Sequence, residues 1–168
     1  MKKILIILIL MSTYQATSQY DKATTVRKTF SRETTVSTII DADVSIIWEM
    51  LTDAENFSNW NSTITSLEGV IEQGEKILLK SILDERRTFK LKVKELIPES
   101  RMVWGDGKGN RIHTLIKNPN GTVTFTMSEK ISGIMFPMYS KYIPPFDEVF
   151  EQYVADLKTR AQEIAKQN

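Results

Sequence analysis

Ile39–Asn61, IIDADVSIIWEMLTDAENFSNWN, is the stretch whose reading decides the fold. It opens as the end of a β-strand over Glu33–Ile40, with Val36, Thr38 and Ile40 on one face and Thr35, Ser37 and Ile39 on the other. Asp43 then stands at the N-cap position of a helix, where a carboxylate can accept a backbone N–H two or three residues on. Val44, Ile47, Trp48 and Leu51 follow at helical spacing, so this helix buries one side. Asp53 can cap a second short helix that runs through Phe57 to Trp60.

Downstream, from Ile64 to Ser132, the period changes from helical to two. Strands are predicted at Ile64–Val70, Lys76–Leu83, Thr88–Leu96, Arg101–Trp104, Arg111–Lys117 and Thr122–Lys130. Turn chemistry separates them, as in Glu72-Gln73-Gly74, Gly105-Asp106-Gly107 and Asn118-Pro119-Asn120-Gly121. Short turns between successive strands require antiparallel pairing, because parallel strands need long crossovers. Phe89, Leu91 and Val93 oppose Thr88, Lys90, Lys92 and Lys94, and Val123, Phe125 and Met127 oppose Thr122, Thr124, Thr126 and Ser128. One face of the sheet is therefore apolar and the other wet. The C-terminal helix supplies the cover. Pro144-Pro145 set its entry, and Phe146, Val149, Phe150, Tyr153, Val154, Leu157, Ala161 and Ile164 recur at three and four. Acidic residues come early on its other face and basic ones late, as the helix dipole favours.

A strand, two small helices, a meander and a long terminal helix resemble the START-like, helix-grip (SRPBCC) superfamily. The local text is similar to its polyketide cyclase/dehydrase and lipid-transport branch. The carriers are Ile40-Asp41-Ala42 into Val44-Ser45-Ile46-Ile47-Trp48, then Leu51-Thr52-Asp53, Trp60-Asn61 and Asp156-Leu157-Lys158. The similarity covers about Glu33 to the C-terminus. It departs at Ser62, where such proteins commonly have proline, and at Gly133–Pro145, where prolines replace a helix. The resemblance implies an α+β fold: a strongly bent antiparallel sheet wrapped around the long C-terminal helix. It also implies a hydrophobic cavity between the two and a small apolar ligand.

A chain of 168 residues, 41% hydrophobic and 26% charged, suffices for one domain with a sizeable core. A net charge of +1 without a basic run gives no footprint for nucleic acid. Cysteine is absent, which excludes disulfides, thiolate catalysis and cysteine-held metal. Met1-Lys2-Lys3, the apolar Ile4–Met11 and the polar STYQATSQ that follows have the order of a secretory signal peptide. Ala16 and Ser18 fit cleavage after Ser18. The apolar run is too short to span a hydrocarbon core of about 30 Å, so no stable membrane span is expected after cleavage. The chain thus reads as residues 1–18 signal peptide, 19–28 flexible leader and 29–168 ligand-binding domain. The mature protein is expected to be exported, periplasmic or secreted, and a monomer.

Few residues offer chemistry. His113 is the only histidine, in phase with Arg111 and Leu115, and no acid has a fixed relation to it; a solvated or core-edge position is expected. No H-x-x-H or E-x-x-H spacing exists, so neither a metal nor a cofactor is expected. Glu95 is in phase with inward Phe89, Leu91 and Val93, but a solvent position at the strand end is expected for it. The ligand is expected to meet Trp60, Phe89, Leu91, Met102, Trp104, His113, Phe125 and Met127 from below and Phe146, Phe150 and Tyr153 from the helix, with Met135 and Met138 as an adaptable rim. The function expected is binding or transport of a hydrophobic small molecule, lipid or polyketide-like, in a cavity of about 300 Å³ or more. The alternative is a cyclase, dehydratase or hydrolase acting on an aromatic or polyketide-like substrate. That reading requires two of His113, Glu95 and Tyr153 to converge within hydrogen-bond reach.

Overall fold

The computed structural model describes residues 21–167. The signal-peptide reading of residues 1–18 lies outside the described residues. In chain order the elements are β1 (Thr24–Lys28), β2 (Ser31–Ile40), α1 (Val44–Thr52), α2 (Phe57–Trp60), β3 (Ile64–Glu68), β4 (Lys76–Ser81) and β5 (Phe89–Ile97). There follow β6 (Arg101–Gly105), β7 (Gly109–Lys117), β8 (Val123–Ser132), α3 (Phe136–Tyr139), a 3₁₀ turn (Ser140–Tyr142) and α4 (Asp147–Ala165). The eight strands of the described residues form one antiparallel sheet in the order β1-β2-β8-β7-β6-β5-β4-β3. The meander β3–β8 is closed by β2 returning beside β8, in register from Ser31↔Ser132 to Ile40↔Val123. The sheet curls about α4, and the α+β helix-grip reading holds.

The core sits between the concave face of the sheet and α4, where Ile40, Ile77, Phe125, Phe150, Val154 and Leu157 are buried. On β2 the inward set is Arg32, Thr34, Val36, Thr38 and Ile40, which extends the Val36, Thr38 and Ile40 face read from the sequence. Two landmarks of the opening segment are tied down by hydrogen bonds. The Asn61 side-chain oxygen accepts the N–H and hydroxyl of Thr63, at 3.0 and 2.7 Å, and the N–H of Ile64 at 3.0 Å, which turns the chain from α2 into β3. Asp53 accepts the N–H of Asn56 at 3.3 Å and its side-chain amide at 2.7 Å, which ties the turn ahead of α2; the N-cap of α2 itself is Asn56, without a side-chain capping bond. Asp43 stands at the N-cap of α1 but its carboxylate makes no capping bond.

Three expectations are corrected. Residues 24–28 are not a loose leader: they form β1, paired from Thr24↔Thr35 to Lys28↔Ser31. The sequence hides this because β1 is an edge strand exposed on nearly every residue, with no apolar alternation to read. The strand is held to α4 through Thr25, whose hydroxyl donates to Asp147 at 2.8 Å while sharing a second bond with Thr34. Second, Glu95 is not in phase with the inward residues of β5, although the solvent position expected for it holds. A bulge between Val93 and Glu95 shifts the phase of β5, and Glu95 pairs with Arg101 at 3.1 Å on the outer side. Third, α4 runs on to Ala165, so Lys158 and Arg160 fall short of its last turn, which carries no base.

Candidate ligand cleft

Register places inward side chains in rows across the sheet. One row is Trp104, Arg111, Glu129 and Thr34, taken from β6, β7, β8 and β2. Two residues further along each strand, about 7 Å deeper, lies the row Met102, His113, Met127 and Val36. A cleft of about 220 Å³ opens above the first row, at the end of the sheet where β4, β6 and β8 finish and β5 and β7 begin. Its apolar walls include Leu79, Phe89, Leu91, Trp104, Ile131 and Phe146, and Tyr139, Tyr142 and Pro144 form the roof ahead of α4. The volume is smaller than the 300 Å³ or so expected for a drug-sized pocket, so the cleft suits a small ligand.

The floor is charged. Both the Nε and a terminal nitrogen of Arg111 bond the same Glu129 oxygen, at 2.7 and 2.6 Å, and the two side chains are only 12% and 18% exposed. The Arg111 guanidinium also lies 5.2 Å from the centre of the Phe150 ring. Beside the cleft, Arg32 ties the roof to the sheet. It donates to the carbonyls of Ile143 and Pro144 at 3.2 and 2.8 Å and covers the Phe146 ring at 4.5 Å. Burial, and then the neighbouring Arg27, lower the Arg32 pKa, while Asp147 and Glu129 oppose the shift.

Of the residues expected to meet a ligand, Phe89, Leu91, Trp104 and Phe146 line this cleft. Met102, His113, Phe125, Met127, Phe150 and Tyr153 lie deeper, closed in the core, and Trp60 packs among them at 5.7 Å from the Tyr153 ring. His113 is neither solvated nor at the core edge. It is fully buried, 4.8 Å from the Trp104 ring, 6.0 Å from Phe125 and 6.1 Å from Tyr153. Burial, with Arg111 adding to it, lowers its pKa to about 3, so the imidazole is neutral at physiological pH. The Met102 backbone opposes this, but neither ring nitrogen forms a hydrogen bond of acceptable geometry within the protein. Burial likewise raises the pKa of the Tyr153 hydroxyl. That hydroxyl and the indole N–H groups of Trp60 and Trp104 are also unpaired. His113 and Tyr153 do not bond each other, and Glu95 is on the far side of the sheet. The convergence that an acid/base pair requires is not met. Met135 and Met138 are exposed on the segment of the roof, and between them Phe136 is buried.

Sequence reasoning missed Arg111, Glu129 and Arg32. The signal was available in phase alone: Arg111 alternates with His113, and Glu129 continues Val123, Phe125 and Met127. A charged residue on an otherwise apolar strand face reads as a fault in the pattern unless its partner on the neighbouring strand is known.

Residues 41–160 match the family described as "Activator of Hsp90 ATPase homolog 1-like protein". Similar solved structures include a START superfamily protein from Mycobacterium smegmatis, 11% identical at a TM-score of 0.59 over 79% of this chain and 98% of that one. CalU16 from Micromonospora echinospora is 14% identical at a TM-score of 0.56 over 87% and 91%. A Staphylococcus aureus protein of unknown function is 10% identical at a TM-score of 0.60 over 87% and 98%. At these identities the likeness is one of fold. No curated protein matches the chain in sequence.

Proposed function

The chain belongs to the Activator of Hsp90 ATPase homolog 1-like family and has a START-like fold, and on that premise we propose that it binds a small, mostly apolar molecule in the cleft between sheet and α4. The observation that carries this reading is the cleft itself. Phe89, Leu91, Trp104 and Phe146 present apolar surface around one buried ion pair, which is the composition of a small-molecule site. The Hsp90 ATPase activation in the family's description belongs to the protein for which it was named; the reading here rests on the cleft. Transport of lipid or polyketide-like cargo is the finer form of the same reading, with the small cleft favouring a ligand of one or two rings. Binding is preferred to catalysis because the deep polar groups lack an acid/base geometry. The N-terminal basic, apolar and small-residue sequence supports export of the mature protein.

The test is titration with the uncharged fluorophore N-phenyl-1-naphthylamine. Saturable enhancement at one site, weakened in Phe146→Ala and Leu91→Ala, is the expected result. No saturable binding, together with native mass spectra of the protein from its source that show only the bare chain, would remove the reading. The same spectra give the mature N-terminus, and a mass that includes residues 1–18 would remove the export reading.

A further inference from the structure

Two charged side chains form the floor of the cleft. Arg111 and Glu129 are register partners on β7 and β8, and both belong to the cleft lining. They stand in the inward row of the sheet, so the 12% and 18% of their surface that stays exposed is exposed to the cleft. Fold stability does not account for the pair. Apolar side chains of similar volume commonly replace an enclosed ion pair without net cost, and the walls around this one, with Leu79, Leu91, Trp104 and Phe146, are already apolar.

The pairing geometry leaves the floor able to bind. Nε and one terminal nitrogen of Arg111 meet a single Glu129 oxygen, at 2.7 and 2.6 Å. The second carboxylate oxygen and the third guanidinium nitrogen are not used on each other. The floor therefore presents a charged donor beside a charged acceptor among apolar walls, where charge-assisted bonds are strong. An anion seated there would lie against Glu129, and a cation against Arg111. A hydrocarbon would take water from both and return no hydrogen bond. A neutral group with N–H and C=O on adjacent atoms serves both at once. An open-chain secondary amide is trans and points those two groups in opposite directions, whereas a small ring holds them on one side.

Resting on the cleft-binding reading, we propose that the Arg111–Glu129 pair is the selectivity element of the cleft and that the ligand is a small uncharged lactam. Its carbonyl oxygen accepts from Arg111, its N–H donates to Glu129, and its apolar body lies against Phe89, Leu91 and Phe146. Discrimination against analogues that lack the N–H follows, because they leave a nearly enclosed carboxylate without its partner.

The experiment compares four bicyclic compounds of one size as competitors of N-phenyl-1-naphthylamine on the full chain: dihydrocarbostyril, 2-tetralone, tetralin and tetralin-2-carboxylate. The first carries N–H and C=O, the second only C=O, the third neither. Dihydrocarbostyril is expected to bind about tenfold more tightly than 2-tetralone, the worth of one hydrogen bond to a charged group. The carboxylate is expected to bind more weakly than the lactam. In Arg111→Met/Glu129→Leu the lactam should lose its advantage, while tetralin binds at least as tightly as in the parent. The comparison within the parent requires no variant. A lactam:2-tetralone ratio near one there overturns the lactam assignment and leaves cleft binding standing, as does an advantage that survives in the double variant. Tighter binding of the carboxylate overturns it in favour of an anion held by Arg111. If the fluorophore binds saturably but none of the four displaces it, the inference fails alone; if the fluorophore itself does not bind, the cleft reading fails and the inference with it.

Discussion

The Asp156 carboxylate on α4 accepts both the N–H and the hydroxyl of Ser62, at 2.8 and 2.7 Å, through one oxygen, while its other oxygen takes Gln152 at 2.7 Å. Two motifs 94 residues apart in sequence are thus one joint, at which the long helix is fastened to the start of β3. Ser62 supplies two donors where a proline would supply none. The joint is partly exposed, so Asp156→Ala should cost about 1–2 kcal/mol, the range of a charge-assisted bond in solvent contact. Urea unfolding should show a lower midpoint with an unchanged slope. Ser62→Pro should reproduce most of that loss, and in an Asp156→Ala background it should add little. Additive losses would mean that the two residues act separately.

The Arg111–Glu129 pair predicts a different pattern. Its members are nearly enclosed, so removing one leaves a charge with little water to solvate it. Arg111→Met should destabilise by about 2–4 kcal/mol, at or below the range for fully buried pairs because some exposure remains. The double variant Arg111→Met/Glu129→Leu should recover most of the loss, since apolar residues of similar volume can replace a buried pair without net cost. A double-mutant cycle by chemical denaturation measures this. Equal losses in single and double variants would show that the pair is held for packing alone.

The fold was legible where one face of each element is buried and the other wet. Ile39–Asn61 and the α4 stripe both carry that contrast, and both lie where they were expected. β1 was not legible because an edge strand shows the solvent most of its side chains, so composition alone makes it resemble a leader. The phase of Glu95 was not legible because of a bulge, which costs one residue of phase and leaves no mark in the alternation before it. The site was half legible. Aromatic residues in phase marked the whole concave face, but whether a given ring borders open space depends on how far the roof before α4 descends. That distance is set by Arg32 reaching the Ile143 and Pro144 carbonyls, a contact across 111 residues.

His113 gives the fold a pH dependence of known sign. Its pKa is about 3 in the folded protein and near 6.5 when unfolded, so between those values the unfolded chain holds a proton that the folded one does not. Stability from this residue is complete above pH 6.5 or so and declines as the pH falls toward 3, by up to about 1.4 kcal/mol per pH unit. Carboxylates also titrate in the lower part of this window, so the measurement is a difference. The unfolding free energy of the parent minus that of His113→Phe should fall by about 2–3 kcal/mol from pH 7 to pH 4.5. A flat difference would mean that the imidazole is hydrated in the folded state.

Phe146 and Phe150 separate packing from binding on the same helix face. Their rings stack at 5.6 Å, but only Phe146 borders the cleft. Phe150 is 1% exposed, with Arg111 against its ring, and was expected from sequence to border a cavity itself. The structure places it in the closed core, and so the expected cost of Phe150→Ala is about 3–5 kcal/mol, transfer and cavity terms together. Phe146 has Arg32 on one side and open space on another, so Phe146→Ala forfeits fewer contacts and should cost about 1–2 kcal/mol. Its effect on binding should be the larger of the two, because it removes a wall of the cleft. Thermal and urea unfolding, with N-phenyl-1-naphthylamine titration at a temperature where both variants are folded, decide the matter. Equal stability losses in the two variants, or unchanged affinity in Phe146→Ala, would place the boundary between core and cleft elsewhere on α4.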